Sequence, residues 1–150
     1  MAFETTLSMH IGESMPVDMK PLVTECYYTY PEVSESWHIE DFLNRVSGSY
    51  ESVDYGWIVR VRDTTFNTTV ATALVWLDEW DFHVQRCVDV KAMYIAKNLR
   101  GNREIVRRLF HGIRSCYPDE KWLCYGIRNK HGHTEIRYRR QHGKIKRFKD

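Results

Sequence analysis

What this chain of 150 residues lacks narrows the choice first. It has only 8 glycines and 4 prolines, too few for a collagen-like or low-complexity polymer. No apolar run approaches the ~20 residues that cross a bilayer as a helix, so a membrane-spanning protein is not expected. The segment Met1 to Ile11 has no basic stretch followed by an apolar block, so no secretory leader is expected. The four cysteines, Cys26, Cys87, Cys116 and Cys124, form no C-x-x-C pair. That argues against a zinc ribbon or thioredoxin-type site and for reduced thiols in a cytoplasm-like compartment. Each lies in apolar sequence and reads as a small core residue rather than a nucleophile. His131-x-His133, with His111 and His142, offers imidazoles, but no Cys or carboxylate completes a ligand set, so no metal is expected.

What is present is one foldable unit, without repeat or linker, of a length that buries a sizeable core. Its net charge of +2 hides an asymmetry. Residues 1–90 carry 5 Lys/Arg against 15 Asp/Glu, and residues 91–150 carry 17 against 5. The halves either neutralise each other where they pack or leave a basic side that attracts an anion.

The pattern of apolar residues predicts the elements. Phe3 to Ile11 partly alternates and predicts a strand. Residues from Pro16 or Asp18 to Pro31 predict a helix, and a second helix follows Ser36 until Gly48. Gly56 to Val61 and Val70 to Trp76 predict a hairpin, with Asn67 a positive-φ turn residue. Cys87 to Ile95 predicts a third strand of this region, after a polar loop at Asp78–Asp81. Residues 102–117 carry the strongest helical stripe, Ile105, Val106, Leu109, Phe110, Ile113 and Cys116, with arginines opposite. Lys121 to Ile127 predicts a strand, His133 to Gln141 a final helix, and Ile145 to Phe148 a closing strand. The order implies a mixed α/β (α+β) fold: a central sheet containing one parallel crossover, with helices on both faces.

The segment MYIAKNLRGNREIVRRLF (93–110) carries the most chemistry. A strand enters a tight turn, and the turn opens a helix at Arg100, Gly101 and Arg103. Helix-start amides and nearby guanidinium groups suit an anion. This segment, with "KWLCYGI", Asn129 and "HTEIRYRRQHGK", resembles the GCN5-related N-acetyltransferase (GNAT) family, whose sheet is splayed. The resemblance implies an enzyme using acetyl-CoA to acetylate a small-molecule or protein amine. It implies that Met93, Tyr94 and Ile95 align the thioester arm, and that Arg100, Gly101, Asn102, Arg103 and Glu104 hold the pyrophosphate, with Asn129 nearby. It also implies a tyrosine acid on the final helix, for which Tyr138 is the candidate. Glu79, Asp81, His83 and Asp89 are the available general bases, with Glu79 and Asp89 put forward. Tyr28 and Trp80 are expected at the edge where an acceptor docks, or else at a subunit interface.

The family's two further glycines are replaced here by Arg103 and Ile105, whose Cβ atoms hinder close backbone approach. Variants of this kind resemble GNAT-fold proteins of tailed phages, including small internal virion proteins. A second reading is therefore a catalytically silent phage protein in the host cytoplasm or virion, with a structural or host-interaction role. The tail Arg137 to Lys149, where aromatics interleave with cations, also suits nucleic acid or another polyanion.

Overall fold

The computed structural model describes residues 2–128 and 131–141. Six strands make one sheet in chain order: β1 Phe3–His10, β2 Gly56–Asp63, β3 Thr68–Asp81, β4 Gln85–Ile95, β5 Trp122–Arg128 and β6 Thr134–Arg140. All neighbours are antiparallel except β4 and β5, which run parallel. Three helices lie between β1 and β2: α1 Lys20–Thr29, the single turn α2 Pro31–Ser34, and α3 Ile39–Glu51. Helix α4, Arg103–Cys116, joins β4 to β5. This is the expected mixed architecture.

Alternation along each strand gives the sheet two apolar faces. On one, Val59, Val61, Ala71, Ala73, Val75, Val88 and Leu123 pack on Ile105, Leu109 and Ile113 of α4. On the other, Ile58 and Leu74 pack on Met19, on Val23 of α1, and on Leu43, Val46 and Tyr50 of α3. Covered on both sides, β3 reads as a nearly continuous apolar run rather than a strict alternation.

Two polar devices fix the layers. Asp63 Oδ1 accepts from the backbone N–H of Thr65 at 2.9 Å, and Asn67 takes a φ of 53°, so the β2–β3 turn closes as its sequence predicts. Arg60 on β2 donates to Asp18 Oδ2 from Nε at 2.8 Å and to Asp18 Oδ1 from Nη2 at 3.2 Å, while Thr69 Oγ1 donates to Asp18 Oδ2 at 2.8 Å. Burial pushes the Asp18 carboxyl up, but these hydrogen bonds and the Arg60 charge outweigh it and hold the group below its usual value. The clamp fastens the lead-in to α1 onto the sheet.

Several boundaries differ from the sequence expectation. Helix α3 runs through Gly48 to Glu51. The Asp78–Asp81 stretch is not a loop but the end of β3, and β4 begins at Gln85, where a φ of 72° completes the turn. The largest correction is at the C-terminal end: the predicted helix His133–Gln141 is strand β6, paired antiparallel with β5 from Trp122↔Arg140 to Arg128↔Thr134. Tyr138 therefore sits on a strand, not a helix. The expected closing strand at Ile145–Phe148 and residue Asn129 lie outside the described residues.

Gly112 sets the depth at which α4 packs. A Cβ there would lie 2.5 Å from Val59 Cγ1 and 3.0 Å from Thr5 Cγ2. Gly112→Ala gains helix propensity but overpacks this contact, and the strain wins. The urea midpoint falls by the equivalent of ~1–3 kcal/mol with an unchanged m-value.

Candidate active site

The site begins with an interruption of the sheet. Strands β4 and β5 pair only at Val88↔Leu123 and Asp89↔Cys124, although β4 continues to Ile95 and β5 to Arg128. The cause is local. Lys91 is an extra residue in β4, caught between the Val75↔Val90 and Leu74↔Ala92 pairs. Such a bulge bends its strand and re-aims the residues beyond it. A V-shaped gap opens, with Asp89 and Cys124 at its apex. Val90 to Ile95 form one wall and Gly126 to Arg128 the other, with Cys26, Tyr30 and Arg100 around the mouth. The gap holds two adjoining hollows of about 260 and 210 Å³.

A row of polar side chains crosses the apex. Register places Trp76, Asp89, Cys124 and Tyr138 side by side on β3, β4, β5 and β6. Trp76 Nε1 donates to Asp89 Oδ2 at 2.7 Å. The Cys124 thiol lies between Asp89 and Tyr138 and interacts with both. Burial is the main force lifting the Asp89 carboxyl above its ordinary value; the Trp76 hydrogen bond opposes it, and the neighbouring Asp78 charge adds to it. Tyr138 Oη donates to Asp81 Oδ1 at 3.0 Å and lies 3.0 Å from His83 Nδ1. Burial, the Asp81 carboxylate and the Cys124 thiol raise the phenol above its ordinary range. The row is thus a half-buried carboxyl that binds protons more readily than a solvated one, beside a thiol and a phenol that both keep theirs.

The far end of the gap is cationic. Arg100 Nε donates to the Ile95 carbonyl at 3.1 Å and its guanidinium sits 5.5 Å from the Tyr30 ring centre. Arg128 lies 4.5 Å from the same ring and pairs with Glu32 of α2. Tyr30 thus has two guanidinium groups near its ring, and its hydroxyl accepts from Arg100 Nη1 at 3.4 Å. Arg103 is exposed. At the start of α4, Asn102 Oδ1 accepts from the backbone N–H of Glu104 at 2.9 Å and of Ile105 at 3.2 Å. Ile105 itself is fully buried under the sheet. Its Cβ points away from the loop, and the group meeting an incoming anion at those amides is the Asn102 carboxamide.

The structure therefore brings together Asp89, Tyr138, Met93 to Ile95 and Arg100 of the predicted residues. Gly101, Asn102, Arg103 and Glu104 run on from Arg100 into the start of α4 and are not among the residues lining the two hollows. Glu79 stands apart on the hairpin, 3.7 Å from Arg86. Asp81 and His83 reach the site through Tyr138, and the Asp81 charge also acts on Cys124. Trp80 at the β3–β4 tip is 91% exposed and Tyr28 on α1 is 68% exposed. The sequence reading missed Trp76, Cys124, Tyr30 and Arg128. The alternating Trp76–Asp78 and Cys87–Asp89 positions were the available signal for Trp76, but their register was not, and Cys124 left no signal beyond an apolar setting.

No protein-family model and no curated protein matches the chain. Solved structures do. A protein described as a possible acetyltransferase from Clostridium difficile 630 superposes with a TM-score of 0.50 at 15% identity, over 76% of this chain and 72% of that one. The protein PH1933 from Pyrococcus horikoshii OT3 superposes with a TM-score of 0.50 at 10% identity, over 83% of this chain and 80% of that one. The chain has the GNAT fold, with the mixed splayed sheet already described. Among the described residues no helix is long and apolar enough to cross a membrane.

Cys26 borders the gap, whereas Cys87 and Cys124 are buried. At pH 8, iodoacetamide alkylates Cys26 at least about 100-fold faster than Cys87 or Cys124, since labelling of buried thiols waits on local opening. Peptide mass spectrometry over a time course reads the order.

Proposed function

We propose that the protein is an acetyl-CoA-dependent N-acetyltransferase acting on an amine. The observation that carries this reading is the broken β4–β5 ladder with a polar row at its apex. Unladdered backbone groups of Met93 to Ile95 suit an extended, amide-bearing arm. Arg100, Arg128 and the exposed Arg103 supply positive charge where a diphosphate belongs. These residues fit acetyl-CoA, which when bound supplies the activated acetyl group.

The chain's own residues do the rest. Asp89 is the general base: its raised proton affinity suits it to take a proton from an amine at the apex, and Trp76 fixes its carboxylate. Cys124 and Tyr138 hold protons on the opposite side of the apex, and Asp81 and His83 orient the Tyr138 hydroxyl. The gap's walls align the reactants, so orientation and local charge provide most of the rate.

Because the folded Asp89 titrates above its ordinary value, kcat/KM rises with pH through that raised value rather than near ~4. Asp89→Asn removes this acid limb and lowers kcat/KM by ~10²–10⁴. A pH profile of thiol release measures both.

A second reading, a catalytically silent GNAT-fold phage protein with a virion, host-interaction or polyanion-binding role, is favoured by the Asn102 cap. That side chain already satisfies two of the amides a diphosphate would use. The exposed Arg103, Arg107, His111 and Arg114 on α4 add a cationic face. Most of the basic tail lies outside the described residues. Calorimetry separates the readings. If α4 takes a diphosphate, Asn102→Gly frees the amides at a cost of a few tenths of a kcal/mol in helix capping and tightens acetyl-CoA binding several-fold. Arg100→Ala with Arg103→Ala weakens it by about tenfold or more. Absence of heat with millimolar acetyl-CoA in all three proteins leaves the silent reading.

A further inference from the structure

A third hollow, of about 440 Å³, lies beside the gap. Asn44, Arg45, Gly48 and Ser49 of α3 and its C-cap Ser52 line it together with Lys91 of β4. The helix residues and the cap recur at i, i+1, i+4, i+5 and i+8, which puts them on one strip beside the buried Leu43–Val46–Tyr50 stripe. Lys91 is the bulged residue, and it lines both this hollow and the gap. The two spaces therefore meet at one side chain, two positions along β4 from Asp89.

The charge of the hollow has one sign. Among the described residues lining it, two are cations and none is an anion. Among the described residues no carboxylate lies within ion-pair distance of Arg45 or Lys91. The Lys91 ammonium sits 5.8 Å from the Trp76 ring centre, and so turns toward the polar row. Ser49 and Ser52 donate their hydroxyl protons to the carbonyls of Arg45 and Ser49. Their lone pairs remain for a ligand's N–H or O–H. Gly48 has open space where a Cβ would stand. A glycine inside a helix lowers its stability relative to alanine, and here it leaves the floor of the hollow low.

We propose that this hollow holds the acceptor, and that the acceptor is a small amine carrying an anionic group, a phosphate or a carboxylate. Arg45 and Lys91 bind the anion, and the amine reaches Asp89 past the bulge. The inference rests on the acetyltransferase reading for its chemistry, but the binding step can be measured without it.

The test uses three amines of similar size: ethanolamine, O-phosphoethanolamine and β-alanine. In the absence of acetyl-CoA, 1H–15N spectra of the intact chain report the amides of Gly48, Ser49 and Lys91. O-phosphoethanolamine or β-alanine shifts them and ethanolamine does not, and the stronger of the two identifies the anion. Arg45→Gln weakens that binding by about tenfold, the loss of one charge-assisted contact. Gly48→Leu fills the hollow and also blocks binding, while helix propensity keeps its thermal midpoint at or above that of the unaltered chain. With acetyl-CoA present, thiol release favours the same anionic amine over ethanolamine by about tenfold or more. Equal shifts and equal rates for all three amines, or binding indifferent to both substitutions, overturn the proposal. Anion-dependent shifts without thiol release from any amine uphold the hollow as an anion site and overturn the acetyltransferase reading.

Discussion

A β-strand can satisfy a neighbour on each side only while it stays in their plane. Strand β4 leaves that plane at Lys91, and the rest of the molecule is arranged around the departure. Before the bulge it pairs with β3 and β5 together; after it, with β3 alone. The two rungs at Val88 and Asp89 hold β5 and β6 to the sheet, and both lie where the opposite face is sealed by α4. The gap can stay open because the core beneath it is closed: Ile105, Leu109 and Ile113 are fully buried against the strands that flank the break.

The other face carries the chemistry, and it is less complete as packing. Helices α1 and α3 cover Ile58 and Leu74 but leave the line through Trp76, Asp89, Cys124 and Tyr138 only partly roofed. A partly roofed carboxyl is the kind that shifts upward without losing its access to a reactant. The Arg60–Asp18 clamp matters here at a distance. It sets where α1 begins, and hence where Cys26 and Tyr30 stand over the mouth of the gap.

Much of this was legible in the sequence. Periodicity located α4, the β2–β3 hairpin and the parallel crossover, because each buries a stripe whose spacing only one secondary structure can present. The segment from Arg100 to Glu104 and Tyr138 came forward as candidates through the family resemblance, and Asp89 as one of four bases that residue type alone could not rank. The final element was not. In TEIRYRR, Ile136 and Tyr138 alternate with arginines, yet Glu and Arg are good helix formers and β-branched residues are few. Pairing with β5 decided the matter, and pairing is a property of the fold rather than of the segment. The same holds for Cys124, whose apolar surroundings read as core; only the register reveals that it faces Asp89 on one strand and Tyr138 on the next. The bulge left one trace, a lysine where VDVKAMYI turns from alternating to apolar.

Among the described residues β6 is one border of the sheet. Arg137, Arg139 and Arg140 line that border, and a second copy approaching side by side would meet its own charges. The safeguard is purely coulombic, so it is only as long-ranged as the ionic atmosphere permits: about 8 Å in physiological saline and about 3 Å in molar salt. In brine, arginines on two such facing borders would repel each other only near contact.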